Sequence, residues 1–388
     1  MSDRDLRRRL QRIHPPDELG AERRAWALAR AAFAQREPTP RRTHVARPLL
    51  VFAAGIAVLA AVLNPPVLNA IRDAVGRTKE KKAVVYRRAL FSLPTPGRLL
   101  VDTSRGPWII RADGGRRLLG RYHDASWSPR GLYVAALGPH DLVALEPNGT
   151  IRWSLARSGR LATPRWSPEL GGSTRIAYMR GRTLRVVAGD GTDDRLLDGS
   201  VSPVAAAWRP GTPFVVAYQA GTGRIRVVAT DEGKFQWRSF RLPQLTALAW
   251  SSDGMRLLAL TPRSLTVFGR DGRRIGHAAL PAVAIAAQFE PGGHEIALLL
   301  RYPQQSAVVL RDGDAPAGAS RVVFSAAGRF DTLAWSPNGR WLLAGWQSAD
   351  AFLFLTPSGK QDVVSDIGRQ LGTFPSVPQA GWCCVAAG

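Results

Sequence analysis

The sequence predicts an all-β domain of repeated four-stranded units over residues 94–388, and three observations support this prediction. A short segment that ends in an aromatic residue recurs every 39 to 46 residues. Each segment is followed by two apolar stretches of strand length, and the second stretch ends at a glycine-containing turn. No long helical pattern interrupts the series. Because a four-stranded blade occupies about 40–45 residues, this period predicts a β-propeller.

An aromatic side chain at the end of each innermost strand is expected to pack between neighbouring blades. The strongest units read Trp-Ser-Pro-x-Gly, at residues 127–131 and 335–339, and weaker ones begin at Trp208 and Phe289. The Ser-Pro-x-Gly part predicts a tight turn into the second strand. The blade-packing residues predicted in this way are Trp127, Trp166, Trp208, Trp250, Phe289, Trp335 and Trp382.

Asp-Gly, Asn-Gly and similar pairs end the later apolar strand of each unit and predict hairpin turns. An aspartate in such a turn accepts a hydrogen bond from its own backbone, so a catalytic role is not needed to explain its presence. This interpretation applies to Asp113, Asp190, Asp271 and Asp312.

The two ends of the repeat region predict how the ring closes. Residues 97–119 match the later strands of a unit but lack an innermost strand, which the C-terminal segment 380–384 can supply. The two ends would then share one blade, and no sheet edge would be left exposed. Seven blades are therefore favoured, with the strand around Trp382 beside the strand 98–101. The alternative is a six-bladed ring with a loose C-terminal tail.

The residues before the repeats predict a membrane anchor. Residues 49–63 carry no charged side chain, and with their flanks they predict a transmembrane helix at 48–70. A buried core helix is the alternative, because the uninterrupted apolar run is short. A helix with an apolar stripe is predicted at 17–35. The predicted order is an Arg-rich segment at 1–47, the span at 48–70, a basic stalk at 71–93 and the propeller at 94–388.

The Trp-Ser-Pro-x-Gly unit, with its two apolar strands and Asp-Gly turn, resembles the WD40-like or TolB-type propeller repeat of bacteria. The resemblance covers about three quarters of the chain. With its Arg-rich N-terminus and single span, the chain looks like the membrane-anchored propeller proteins of actinobacteria. That resemblance implies a cytoplasmic N-terminus and an extracytoplasmic propeller, and it implies no specific activity. Basic residues flank the span on both sides, so charge alone does not set the orientation.

Two segments, 146–153 and 230–237, also look like the repeat of quinoprotein or BamB-type propellers, because each ends in Gly-x-x-x-Trp. Two of seven units carry this ending. Trp153 and Trp237 are therefore interpreted as blade-packing residues, and a quinoprotein or BamB-like propeller with a site at the ring mouth is kept as an alternative.

The sequence contains no motif for catalysis or metal binding. It has no Gly-x-Ser-x-Gly motif, no phosphate-binding loop and no His-Glu-x-x-His motif. Its six histidines are scattered without metal-ligand spacing. Cys383 and Cys384 are adjacent, and we expect them to be structural and not to form an ordinary disulfide. We expect no catalytic residue, cofactor or metal site. The alternative is an enzyme whose acids converge from several blades at the ring mouth.

The chain is strongly basic, with 53 Lys and Arg against 30 Asp and Glu and a net charge of +23. Such a charge favours acidic partners. Because no RNA- or DNA-recognition motif is present, nucleic acid is a minor hypothesis. The sequence favours a non-catalytic binding, scaffolding or sensor module anchored in the cell membrane. Its expected partners are a protein on the propeller face and a cytoplasmic regulator that contacts residues 1–47.

Overall fold

The computed structural model describes residues 92–384 except 170, 212–213 and 379. These residues form seven four-stranded antiparallel sheets, which confirms the predicted seven-bladed β-propeller. The predicted helix at 17–35, the predicted span at 48–70 and nearly all of the predicted stalk at 71–93 lie outside the described residues. Within the part of the chain that the structure describes, no helix is long and apolar enough to cross a membrane.

Each blade is an up-and-down sheet in which neighbouring strands pair antiparallel. Blade 1 consists of β28 (Trp382–Cys383), β1 (Arg98–Thr103), β2 (Gly106–Arg111) and β3 (Arg116–Leu118). Blade 2 consists of β4 (His123–Trp127), β5 (Val134–Leu137), β6 (Asp141–Leu145) and β7 (Ile151–Ala156). Blade 3 consists of β8 (Leu161–Trp166), β9 (Arg175–Arg180), β10 (Thr183–Ala188) and β11 (Arg195–Asp198).

The other four blades repeat the same order. Blade 4 consists of β12 (Ala207–Trp208), β13 (Val215–Gln219), β14 (Arg224–Ala229) and β15 (Lys234–Arg241). Blade 5 consists of β16 (Ala247–Trp250), β17 (Arg256–Thr261), β18 (Ser264–Gly269) and β19 (Arg274–Ala279). Blade 6 consists of β20 (Val283–Phe289), β21 (Glu295–Arg301), β22 (Gln305–Asp312) and β23 (Ser320–Ala327). Blade 7 consists of β24 (Phe330–Trp335), β25 (Leu342–Trp346), β26 (Ala351–Leu355) and β27 (Gln361–Ser365).

Helical structure is minor in the described part of the chain. A 3₁₀ turn at Gln347–Ala349 connects β25 to β26, and a short helix, α1 (Ile367–Leu371), follows β27. The first strands of neighbouring blades contact one another, as β4 and β8 do, which places the first strand of every blade innermost in the ring.

The middle strands of the blades explain why the ring is stable. All four residues of β5 and all five residues of β26 are buried, whereas the fourth strand β7 is mostly exposed. A middle strand has a neighbouring blade on each of its two faces, so both faces bury apolar side chains. The sequence shows this as uninterrupted apolar runs rather than as alternation.

The ring closes through blade 1 as predicted. β28 pairs antiparallel with β1, with Leu99 opposite Trp382 and Arg98 opposite Cys383. The backbone N–H of Leu100 also donates to the carbonyl of Gly381 over 2.8 Å. Because the last strand completes the sheet that the first strands begin, the six-bladed alternative is wrong.

Candidate functional site

The seven predicted aromatic residues each lie on the innermost strand of a different blade: Trp127 on β4, Trp166 on β8, Trp208 on β12, Trp250 on β16, Phe289 on β20, Trp335 on β24 and Trp382 on β28. Six of these side chains are buried and that of Trp166 is half-buried. Each core cluster combines residues from neighbouring blades. Trp382, for example, packs with Leu99 of its own blade and Phe354 of blade 7.

Three of these tryptophans also hydrogen-bond across the blade boundary. Each indole N–H donates to the backbone carbonyl of the residue that precedes the equivalent aromatic in the previous blade. The bonds run from Trp127 to Gly381 (3.0 Å), from Trp208 to Arg165 (2.9 Å) and from Trp335 to Gln288 (3.3 Å). In the described part of the chain, the indole N–H groups of Trp166, Trp250 and Trp382 are buried without a partner. The repeated aromatic residue therefore both fills the boundary between blades and, in three blades, fixes its register.

The serine of the Trp-Ser-Pro-x-Gly unit shapes the turn between the first two strands. Its hydroxyl accepts a hydrogen bond from a backbone N–H near the start of the second strand, and all four such serines are buried. The pairs are Ser128 with Tyr133, Ser167 with Arg175, Ser251 with Arg256 and Ser336 with Trp341. A serine hydroxyl that is buried and hydrogen-bonded to the backbone in this way has a structural role.

Trp153 and Trp237 connect the outer strands of one blade to the next blade. Their indole N–H groups donate to the carbonyls of Gly189 and Arg270, each over 2.9 Å. Both indoles lie against a turn glycine with positive φ, at 89° for Gly191 in the first case. The prediction that these two tryptophans are blade-packing residues is confirmed.

The turn aspartates behave as predicted. In each case a carboxylate oxygen accepts a hydrogen bond from the backbone N–H two residues further on. The pairs are Asp113 with Gly115, Asp190 with Thr192, Asp271 with Arg273 and Asp312 with Asp314. These contacts explain the four carboxylates without any catalytic role.

A polar cluster lies at the start of the innermost strands of blades 2 and 3. The carboxylate of Asp102, on β1, accepts the N–H of Ala125 over 3.2 Å, and that of Asp124 accepts the N–H of Thr163. Burial raises the pKa of Asp102 to about 7, against the lowering effect of the Ala125 hydrogen bond. Burial lowers the pKa of Arg165, while the charges of Asp124 and Asp102 raise it. An aspartate of one blade thus binds the backbone of the next, so this cluster holds the ring together.

A second network joins the turns of blades 5 and 6, and sequence reasoning did not identify it. Nε2 of His294 lies 2.9 Å from a carboxylate oxygen of Asp253, and Nδ1 lies 2.9 Å from Asp314. Burial opposes protonation of His294, but the hydrogen bonds and charges of the two aspartates outweigh it and raise the pKa. Burial also acts to raise the pKa of Asp253, and bonds from Ser251, the N–H of Met255 and His294 lower it to about 2.

The structure places Cys383 at the end of β28 and Cys384 directly after it, beside the first turn of blade 2. Their sulfur atoms are bonded to each other in a disulfide between neighbouring residues, which the sequence did not predict. Cys384 adopts a left-handed φ of 48°. The positions still replace the Ser-Pro of the repeat, as the sequence indicates.

The described residues contain no group of three or more His, Cys, Asp and Glu side chains that could hold a metal ion. Their polar clusters join blades or shape turns. In each blade, the turn between strands one and two and the turn between strands three and four lie on the same face of the ring. We call this face the turn face, and it is not occupied by such polar clusters alone. It exposes large apolar side chains, namely Leu132, Ile151, Phe235, Met255 and Ile275. Arginines at 130, 152, 270, 273 and 274 lie beside them in the sequence. We therefore regard the turn face as the candidate binding surface.

No protein-family model matches the sequence, and no curated protein matches it. Solved structures do share the fold. Hsv2 from Kluyveromyces lactis is 12% identical with a TM-score of 0.53, and the match covers 69% of this chain and 93% of Hsv2. A chain in the crystal structure of the mitotic checkpoint complex is 13% identical with a TM-score of 0.53, over 72% of this chain and 94% of that chain. At such identity the likeness shows the fold alone, a WD40-type seven-bladed β-propeller.

Proposed function

We propose that this chain is a non-catalytic binding and scaffolding propeller, anchored in the cell membrane, whose turn face binds an acidic protein. The observation that carries the proposal is the composition of that face. Its exposed apolar side chains include Leu132 and Ile151, 53% exposed each, and Phe235, 47% exposed. Protein interfaces combine apolar and aromatic side chains with arginine in this way. Isolated exposed apolar side chains are common on protein surfaces, but these three flank turns on one face.

The charge of the domain supports an acidic partner. Residues 94–388 carry 34 Lys and Arg against 22 Asp and Glu, an excess of 12 positive charges. A surface of this sign attracts acidic proteins over distances of about 8–10 Å at physiological salt, which speeds their association.

The turn-face proposal is tested with two matched pairs of substitutions in the full, affinity-tagged chain. L132S/F235S removes a leucine and a phenylalanine from the turn face. L118S/F240S removes the same two residue types, 38% and 43% exposed, from the far ends of two fourth strands. Each form is purified from the cells that express it naturally, and the proteins that accompany it are quantified by mass spectrometry.

We expect an acidic protein to accompany the wild type and the control pair, and to fall at least tenfold with L132S/F235S. Its association should weaken as salt is raised. If all three forms retain the same proteins equally, or none retains any, the turn face is not the binding surface.

The anchor and orientation are part of the same proposal. The apolar run at 49–63 supports a membrane span, and the resemblance to membrane-anchored TolB-type propellers of actinobacteria supports a cytoplasmic 1–47 and an extracytoplasmic propeller. Protease added to intact spheroplasts should digest the propeller and leave the N-terminal segment protected. Digestion of the N-terminal segment with the propeller intact would show the reverse orientation.

A cytoplasmic regulator that contacts residues 1–47 would make the protein a sensor. The apolar stripe of Leu19, Trp26 and Phe33 on a basic segment supports such a contact. A pull-down with the full chain should recover the regulator, and L19S/W26S should abolish its recovery without affecting the partner of the turn face. Recovery that is insensitive to L19S/W26S would contradict the sensor hypothesis.

A further inference from the structure

A surface cavity of about 740 Å³ lies on the turn face between blades 4 and 5, and arginine dominates its lining. Five guanidinium groups line it, together with one carboxylate, that of Asp271. One oxygen of this carboxylate already accepts the N–H of Arg273. The lining arginines are Arg209, Arg256, Arg270, Arg273 and Arg274.

Several arginines of the turn face pair with carboxylates of a neighbouring blade. Arg130 of blade 2 pairs with Glu169 of blade 3 over 2.6 Å, and Arg175 of blade 3 pairs with Asp231 of blade 4 over 3.1 Å. Arg256 itself pairs with Asp314 of blade 6 over 2.7 Å. These three pairs balance part of the positive charge of the face.

Arg270, Arg273 and Arg274 break this pattern, because among the residues that the structure describes they form no ion pair. All three are exposed. Burial lowers the pKa of the neighbouring Arg209, and the charge of Arg270 lowers it further, which reflects positive charges crowded around one space. Like charges held together without counter-ions favour the binding of an anion.

The positions of these arginines are fixed by the blade packing. The carbonyl of Arg270 accepts the indole N–H of Trp237, so the rim of the cavity is tied to blade 4. The guanidinium of Arg209 lies 5.5 Å from the ring centre of Trp250 and donates to Gln236 over 3.0 Å. Because the Arg209 side chain is already held in place, it loses less entropy on binding a ligand than a mobile side chain does.

We propose that this cavity binds a small ligand that carries several phosphate groups. Its volume lies within the range of small-molecule sites, about 300–1,000 Å³. Guanidinium groups bind phosphate oxygens in pairs of parallel hydrogen bonds, and several arginines around one space require several negative charges close together. The cavity lies within the turn face and shares Met255 and Ile275 with it, but its test uses no protein partner, so this inference and the proposed function can fail separately.

The probe for this site is inorganic tripolyphosphate, titrated into the full chain by calorimetry at fixed ionic strength. R270Q/R274Q removes two arginines of the cavity that form no ion pair among the described residues, one of which, Arg274, lies 5.9 Å from the ring centre of Phe240. R182Q/R263Q is the matched control, because it removes two exposed arginines from turns between second and third strands, on the opposite face. Both double variants lose the same charge, so general attraction of anions is reduced equally.

Tripolyphosphate should bind the wild type and R182Q/R263Q at one site, and R270Q/R274Q should weaken binding by about 100-fold, roughly tenfold for each arginine. An unchanged melting temperature of R270Q/R274Q without ligand shows that the fold is intact. Inorganic phosphate should bind the wild type more weakly than tripolyphosphate, since it offers fewer charges. Absence of binding to the wild type, or equal weakening in both double variants, would overturn the proposal.

Discussion

The strongest structural prediction concerns Trp382, which closes the ring. The perturbation is Trp382→Ala in the full chain. Trp382 is 4% exposed, pairs with Leu99 on β1 and meets Phe354 of blade 7 edge to face at 5.5 Å between ring centres. Truncation of a buried tryptophan costs about 3–5 kcal/mol. The aromatic pair places the expected loss near the upper half of that range, about 4 kcal/mol.

This loss converts into a shift of the melting temperature. The unfolding entropy is about 2.1 cal/mol/K per residue, so a propeller of about 290 described residues has roughly 0.6 kcal/mol/K. A loss of about 4 kcal/mol therefore lowers the melting temperature by about 7 °C. Differential scanning calorimetry and urea denaturation both measure this change. Deletion of residues 378–388 also removes the carbonyl of Gly381 and exposes the edge of β1, so it should lower the melting temperature further.

The matched control for this substitution is Phe235→Ala, which truncates an aromatic side chain that is 47% exposed. It should cost less than about 1 kcal/mol. If Trp382→Ala melts within about 1 °C of Phe235→Ala, the last strand does not close the ring in solution, and the shared blade must be rejected.

Two further predictions concern polar contacts between blades, and a third concerns a close packing contact between blades. Because burial raises the pKa of Asp102 from 3.8 to about 7, the folded state holds a proton that the unfolded state has lost, so the free energy of unfolding should fall by about 3 kcal/mol from pH 4 to pH 7. In urea denaturation at several pH values, Asp102→Asn should flatten the fall of the free energy of unfolding with pH. An unchanged pH dependence would contradict the role assigned to Asp102. The raised pKa of His294 adds stability that is complete below pH ~6.5 and is lost as pH rises through the folded-state pKa. His294→Gln should abolish this part of the pH dependence of stability. The change in the free energy of unfolding should be less than about 1 kcal/mol, because the His294–Asp253 pair is partly exposed. Gly191→Ala places a Cβ 2.8 Å from the Trp153 ring at a φ of 89°, so it should lower the free energy of unfolding by about 1–3 kcal/mol. The control Gly359→Ala has a φ of 91° and open space around it, so it should lower the free energy of unfolding less. Equal melting temperatures of the two variants would refute the steric explanation.

The sequence by itself determined the blades, their number and the closure. The aromatic position, the Ser-Pro-x-Gly turn and the Asp-Gly turn are set by contacts within one unit of about 40 residues or with the next unit, so they repeat along the chain. Counting strands and turns then required the Trp382 segment to complete blade 1, because an unpaired edge is unfavourable. The roles of Trp153 and Trp237 followed from the same reasoning.

Tertiary structure decided which polar side chains meet. Asp253 and His294 are 41 residues apart and touch because the turns of adjacent blades lie side by side. The pKa of Asp102 depends on its burial between blades, and a strand pattern does not show how deeply a carboxylate is buried. The arginine cavity likewise combines residues from blades 4 and 5. The local sequence pattern dictates the backbone contacts within a blade. Side chains from different blades meet only where the geometry and packing of the ring bring them together. The repeat period of the sequence does not predict the distances between those side chains.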